Sequence, residues 1–125
     1  MNMIKRFEDL EVWQLARILV KEVYKITQGA EFQKDLSLKD QVRRCAVSIM
    51  ANISEGFERK TQKEFINFLY IAKGSCGELR SHFYIALDLG YIDKNTSEDL
   101  QNQTITISKS LSGFIKYLYS SSISK

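Results

Sequence analysis

Apolar residues recur at steps of three and four along four segments of the chain, which is the spacing of one face of an α-helix. The segments cover about residues 10–28, 37–56, 61–89 and 97–119. The third segment alternates steps of four and three over three heptads, through Phe65, Leu69, Ala72, Cys76, Leu79, Phe83 and Ala86. The fourth keeps the same spacing through Leu100, Thr104, Ile107, Leu111, Phe114 and Leu118. Such seams are typical of helical bundles.

Helix-start signals divide the segments from one another. Thr61 and Glu64 form a T-x-x-E capping box before the third segment, and the second segment has a weaker pair, Ser37 and Asp40. Thr96 or Ser97 is expected to cap the fourth helix. Because the connections are short, sequential helices should run antiparallel. The sequence therefore predicts an all-α, antiparallel up-down-up-down four-helix bundle, with residues 1–125 as a single domain.

The composition excludes several classes of protein. The 125 residues include no proline and only two cysteines, Cys45 and Cys76, which we interpret as reduced core thiols. No apolar run approaches the roughly 20 residues that a membrane-spanning helix needs. The segment Met1 to Glu8 lacks the apolar stretch of a signal peptide, so we expect a cytoplasmic protein without a membrane partner.

A polar line runs along the second helix beside its apolar line, and folding the third helix back at the turn sets Arg44 level with Ser75 and Glu78. A buried charge needs a partner, so a half-buried network is expected there. A solvated face and a catalytic site are the alternatives. The residues of the predicted structural network are Arg44, Ser48, Asn52, Glu55, Ser75 and Glu78.

The sequence gives little support to an enzyme. A di-iron bundle needs Glu-x-x-His on two helices together with two further glutamates, whereas His82 is the only histidine and stands four residues after Glu78. No phosphate-binding glycine loop or nucleophile elbow occurs. We therefore predict no catalytic residue, no metal site and no cofactor.

The third helix has features that a monomeric bundle does not need. Gly74 and Gly77 lie inside the helix, where each costs about 1 kcal/mol relative to alanine. This small patch could admit another helix or a ligand, and we favour the helix. A second apolar stripe lies about 100° round the third helix from its seam. We expect a homo-oligomer whose interface includes Ile66, Tyr70, Gly77 and Tyr84.

The charge distribution is more informative than the net charge of +3. One end of the predicted bundle (residues 1–11, 55–64 and 117–125) has six basic and six acidic residues, and the other (26–40 and 86–100) has three basic and seven acidic. The remainder, which we call the basic waist, has nine basic residues and two acidic ones, Glu22 and Glu78. Solubilising charge normally mixes signs, so we predict a surface that attracts phosphates. Its nucleic-acid-binding candidates are Arg17, Lys21, Lys25, Arg43, Lys73, Arg80, Lys109 and Lys116.

Three runs of the sequence resemble one known family. They are Phe7-x-x-Leu10-x-Val12-Trp13-Gln14, then Gln41-x-x-Arg44 with Ser48-Ile49-x-x-Asn52-Ile53-x-Glu55-Gly56, and Phe65-x-x-Phe68-Leu69-x-Ile71-Ala72-x-Gly74-Ser75-x-x-Glu78-Leu79, ending at Leu89-Gly90-Tyr91. Together they are similar to the four-helix-bundle proteins encoded in 23S ribosomal RNA intervening sequences. The family often has proline where Met50 and Ala51 stand, and alanine at Ser54; neither difference affects the expected fold.

The resemblance implies a ring of bundles, commonly a pentamer. A related branch, the accessory proteins of diversity-generating retroelements, implies binding to nucleic acid and to a reverse transcriptase. Our leading hypothesis is a non-catalytic, homo-oligomeric protein that binds RNA or DNA through the basic waist. The alternative is an oligomeric scaffold that binds a protein partner, through its acidic end or the patch Gly74 to Gly77, and has no nucleic-acid role.

Overall fold

The structure, a computed structural model, describes residues 4–121 of the chain. Its four α-helices are Glu11–Ile26 (α1), Leu36–Phe57 (α2), Gln62–Asp88 (α3) and Lys94–Ser120 (α4). Short 3-10 turns, Phe7–Asp9 and Phe32–Lys34, precede α1 and α2. The predicted all-α four-helix fold is confirmed. Residues 1–3 and 122–125 of the predicted domain lie outside the described residues.

The apolar seams of the four helices meet in one core. All seven predicted seam residues of α3 are buried. In α4 the seam shifts near its end, where Ile115 is buried and Phe114 is half-buried against Phe65, with ring centroids 5.4 Å apart. A strict heptad drifts by about 20° per repeat relative to a straight α-helix. Over a helix of 27 residues this drift brings the next residue to the core.

The contact between α2 and α3 fixes their direction and is unusually close. Ser48 Oγ lies 3.0 Å from Ser75 Oγ, while Gly56, two turns further along α2, lies against Phe65 and Phe68 at the start of α3. The two helices are therefore antiparallel. A Cβ at Gly56 would come within 2.6 Å of Phe68 Cβ and 2.9 Å of Phe65 Cδ1, so the crossing requires glycine there.

Two polar contacts between α3 and α4 fix the direction of α4. Arg80 in the second half of α3 bonds to Gln101 in the first half of α4, whereas Gln62 at the start of α3 bonds to the carbonyl of Leu118 near the end of α4. These helices also run antiparallel. The helix α1 completes the bundle by contacting both α2 and α4.

The helix caps differ in part from those predicted. Thr61 Oγ1 accepts from the backbone N–H of Glu64 at 3.1 Å, as the capping box predicts. The predicted caps of α2 and α4 were wrong, because aspartates upstream accept the equivalent bonds. Asp35 accepts from the N–H of Leu38 at 3.0 Å, and Asp93 accepts from the N–H of Thr96 at 2.8 Å. Hydrogen bonds from Thr96 also hold the pKa of Asp93 below its usual range.

A glycine turn that follows α3 contacts the N-terminal cap of α2. Gly90 has a φ of +75°, the N–H of Tyr91 donates to the carbonyl of Ala86 at 2.9 Å, and the N–H of Gly90 donates to Leu87 at 3.0 Å. This is a Schellman motif, which needs a left-handed residue. The hydroxyl of Tyr91 then donates to Asp35 Oδ2 at 2.9 Å, so this turn is fixed against the cap of α2.

The combination of length and hydropathy in these helices differs from that of a membrane-spanning helix. Across residues 4–121, every helix is too short or too polar to cross a bilayer.

Candidate nucleic-acid interface and polar groove

Three basic residues form a line on the exposed side of α1. Arg17, Lys21 and Lys25 are spaced four apart, which puts successive Cβ atoms roughly 5–6 Å from one another. Within the described part of the chain, no acidic side chain lies within 4.0 Å of any of the three. Their positive charge therefore faces solvent without local neutralisation.

Arg43 belongs to the predicted set but already contacts α1. Its Nε donates to Thr27 Oγ1 at 2.8 Å, and its guanidinium lies 4.3 Å from the centroid of the Tyr24 ring. The side chain therefore ties α2 to α1. Its charge adds to the waist, but two of its nitrogens, Nε and Nη2, donate to α1.

Arg80 has a similar role between α3 and α4. Its Nε donates to Gln101 Oε1 at 3.0 Å, and Gln101 Nε2 returns a bond to the Arg80 carbonyl at 3.0 Å. Gln101 is buried, so this exchange satisfies an amide that would otherwise lose its water partners. Sequence reasoning counted Arg43 and Arg80 as surface charge because their partners, a threonine and a glutamine, are uncharged.

The remaining three candidates lie on α3 and α4. Lys109 and Lys116 are exposed and Lys73 is half-buried; within residues 4–121 none of them has an ion-pair partner. Leu15 and Ile18 of α1 line a groove together with Thr106 of α4. Arg17 stands between Leu15 and Ile18 in the sequence of α1, and Lys109 stands about one turn after Thr106 in α4, so both helices carry a basic residue near this contact in the sequence.

The polar line of α2 meets α3 through its small residues. Asn52 Nδ2 donates to the carbonyl of Ser48 at 2.8 Å and to Ser48 Oγ at 3.0 Å. Ser48 Oγ in turn lies 3.0 Å from Ser75 Oγ. These three residues form the connected part of the predicted network.

The charged members of that network have other partners. Arg44 pairs with Asp40 at 2.8 Å, and its side chain is 79% exposed, so it does not bind Glu78 as expected. Asp40 stands four residues before Arg44 on the same helix, a spacing that brings the two side chains together, whereas Glu78 lies across the groove. Glu55 pairs with Arg59 at 2.8 Å. Arg44 and Glu78 still line one groove of about 300 Å³ with Cys45, Ser48 and Ser75.

Glu78 instead faces His82, one turn later on α3. Its Oε2 lies 3.4 Å from His82 Nε2, and Cys45 of α2 completes a cluster whose ligand atoms all lie within 4.8 Å of one another. Sequence reasoning missed this cluster. The Glu-x-x-x-His spacing was the visible signal, but the level of Cys45 across the helix pair was needed as well.

Both cysteines are buried thiols of low reactivity. Burial, together with a hydrogen bond to Glu78, raises the pKa of Cys45 to about 12. Burial raises the pKa of Cys76 to about 12 as well. A thiol protonated at neutral pH is a poor nucleophile, so neither side chain has the properties of a catalytic cysteine.

The predicted interface stripe of α3 divides into buried and exposed parts. Ile66 is 5% exposed and packs inside the chain, so it belongs to the core. Tyr70 and Tyr84 are 49% and 52% exposed. A Cβ at Gly77 or Gly74 would meet no atom within 4 Å, so nothing in the described chain requires glycine at either position.

Comparisons with known proteins agree with this architecture. The family model described as 23S rRNA-intervening sequence protein matches residues 8–113. The chain is also similar to the crystal structure of a protein with unknown function from the S23 ribosomal protein family of Bacteroides thetaiotaomicron VPI-5482. The two are 27% identical, the match covers 84% of this chain and 98% of that one, and the TM-score is 0.77. No curated protein matches the chain.

Proposed function

The chain belongs to the 23S rRNA-intervening sequence protein family, as its motifs predicted, and from this premise we propose that it is a non-catalytic, homo-oligomeric protein that binds RNA or DNA through its basic waist. The observation that carries the proposal is the exposed line Arg17, Lys21 and Lys25 on α1, which has no acidic partner among the described residues. The family name points to RNA as the first ligand to test.

Electrostatics supports phosphate as the group that is recognised. A protein that neutralises phosphates with lysine and arginine gains affinity by releasing counterions, and this term does not depend on base sequence. The line on α1 offers positive side chains at regular spacing, and Lys109 extends the surface onto α4. Helices that read bases combine arginine or lysine with asparagine or glutamine at the base edges, whereas this line consists of cations alone. We therefore expect binding with little sequence preference.

The outer face of α3 supports assembly into an oligomer. Gly74 and Gly77 lower the intrinsic stability of α3 by about 1 kcal/mol each, and among residues 4–121 no atom lies within 4 Å of a Cβ added at either glycine. Small residues on a helix let another backbone approach closely, and the half-exposed Tyr70 and Tyr84 would pack at the edge of such a contact. The family resemblance implies five copies, each repeating the basic line and so strengthening the field around the assembly.

Binding is tested by a matched pair of charge reversals. Lys21→Glu/Lys25→Glu should weaken binding to duplex RNA and duplex DNA at low salt. On DNA it should also reduce the log–log salt slope by roughly two, since each neutralised phosphate contributes about 0.9. The control, Lys34→Glu/Lys94→Glu, makes the same change of charge on exposed residues of the acidic end and should have little effect. Fluorescence anisotropy over a salt series, with circular dichroism to verify folding, measures both.

Two results would overturn the nucleic-acid role. One is that wild-type protein does not bind either duplex at low salt; the other is that the two double variants bind equally. Either result would favour the scaffold hypothesis, in which the assembled protein binds a protein partner.

Assembly is tested separately by light scattering. The wild-type mass should be a multiple of 14.5 kDa at micromolar concentration. Tyr84→Glu puts a charge on the outer face of α3 and should reduce the mass, while Tyr117→Glu, at an exposed tyrosine of α4, should not. A wild-type mass of one chain would contradict the proposed oligomer without affecting the binding test.

A further inference from the structure

One helix of the bundle brings a carboxylate and an imidazole against a thiol of its neighbour. Cys45 comes from α2, and Glu78 and His82 come from successive turns of α3. Their ligand atoms lie within 4.8 Å of one another. We propose that Cys45, Glu78 and His82 form a zinc-binding site in the groove between α2 and α3, built from residues other than the nucleic-acid-binding candidates.

The state of His82 is the observation that points to a ligand. Its side chain is 13% exposed, and both ring nitrogens are buried without a hydrogen-bond partner among the described residues. Buried polar atoms in native proteins nearly always have a partner, and a buried polar atom without one destabilises the folded state. A metal ion on Nε2, the nitrogen that faces Glu78, would satisfy that atom. Nδ1 would keep its present surroundings.

The spacing of the cluster fits tetrahedral zinc. With zinc–nitrogen and zinc–oxygen bonds of about 2.0–2.2 Å, two such ligands lie about 3.4 Å apart. Glu78 Oε2 and His82 Nε2 are 3.4 Å apart. A zinc–sulfur bond of about 2.3 Å puts sulfur about 3.6 Å from nitrogen. Since the ligand atoms lie within 4.8 Å of one another, the distances to Cys45 Sγ need to shorten by at most about 1.2 Å to bind the ion.

The chemistry of the three donors also selects the metal. Thiolate and imidazole together favour zinc over magnesium or calcium, which take oxygen ligands. The Cys45 thiol would give its proton to solvent as the sulfur binds the ion. Three protein ligands leave one tetrahedral position, and water can fill it from the groove of about 300 Å³ that Cys45 and Glu78 line.

The charged neighbour of the groove does not oppose binding strongly. Arg44 lines the same groove, but its guanidinium pairs with Asp40 at 2.8 Å and its side chain is 79% exposed. The carboxylate partner and the solvent around it screen its repulsion of the ion.

Cobalt(II) substitution in the untagged, metal-free full-length chain tests the site. Wild-type protein should bind one cobalt ion per chain, with a sulfur-to-cobalt charge-transfer band, and zinc should displace it. Cys45→Ser should lose the band. The matched control is Cys76→Ser, which removes the other buried thiol and should keep the band.

Ligand loss should also appear in the affinity for zinc. His82→Gln and Glu78→Gln should each weaken zinc binding by at least the order of 10²-fold, since even outer-shell substitutions cost 10–100-fold. Glu78 has a largely exposed side chain, so Glu78→Gln keeps the test valid if Cys45→Ser unfolds. The proposal is overturned if wild-type protein binds neither ion, if Cys45→Ser and Cys76→Ser give the same spectrum, or if Glu78→Gln binds zinc as wild type does.

Discussion

Glycines on the two sides of α3 stand under opposite constraints: Gly56 of α2 packs against its inner face, and Gly74 and Gly77 lie on its outer face. On the inner face, Phe65 and Phe68 close over Gly56 of α2 so tightly that a single added carbon would clash. On the outer face, Gly74 and Gly77 have open space around them, although glycine in a helix is unfavourable. The inner glycine is explained by the fold of one chain, and the outer pair is not. A residue that its own chain does not explain is a reason to look for a second molecule.

The largest effect that sharpens this contrast is expected at Ile66, which shares a stripe with Tyr70 but is buried. Ile66→Ala should lower the free energy of unfolding by about 2–5 kcal/mol, because it leaves a cavity between α3 and α4. Tyr70→Ala should change it by less than about 0.5 kcal/mol, as at other surface sites. Urea unfolding measures both, in the Tyr84→Glu background so that assembly does not contribute. Equal losses would contradict the division of the stripe.

A smaller effect is expected at Gly56. Gly56→Ala should destabilise the chain by about 1–3 kcal/mol through overpacking against the two phenylalanines. Gly77→Ala makes the same chemical change in open space and should stabilise α3 by up to about 1 kcal/mol. The two are compared by urea unfolding in the same Tyr84→Glu background. If Gly56→Ala proved as stable as Gly77→Ala, the close crossing of α2 and α3 would be in error.

The smallest effect is expected at Asp93, the N-cap residue of α4, which belongs to neither face of α3. Hydrogen bonds from Thr96 lower the folded pKa of Asp93, so its stabilising contribution is present above the unfolded pKa and is lost as pH falls through the folded value. Asp93→Asn can still accept the capping bond but carries no charge. The difference in melting temperature between wild type and Asp93→Asn should therefore shrink as pH falls below about 4. A difference that stays constant from pH 7 to pH 3 would show that the charge of Asp93 does not matter.

The sequence alone predicted the structural features that depend on residues within a single helix. Every predicted seam residue of α3 is buried, and the Thr61 capping box is present, because both depend on spacing within a few turns. The caps of α2 and α4 were misplaced because several residues able to cap stand close together. Choosing among Asp93, Thr96 and Ser97 depends on backbone geometry that side-chain type does not encode.

Contacts between helices were harder to foresee. Matching residues across the turn put Arg44 level with Glu78, and both do line one groove, but Arg44 pairs with Asp40 on its own helix. His82 looked like a lone histidine because its neighbour Cys45 is 37 positions away in the sequence. Which of several nearby partners a flexible charged side chain selects is decided by small differences in solvation and rotamer freedom, and one sequence does not reveal these.

Two polar links at opposite ends of the bundle connect residues that are far apart in the sequence. Tyr91 bonds to Asp35 at one end and Gln62 bonds to the Leu118 carbonyl at the other, each joining residues 56 positions apart. The links hold α2, α3 and α4 together, whereas α1 is tied to α2 at its C-terminal end, where Arg43 Nε donates to Thr27 Oγ1. Amide hydrogens of α1 should therefore exchange with solvent through a partial opening that leaves the other three helices protected. Because α1 also carries the basic line, we expect a bound polyanion to slow exchange in this helix first.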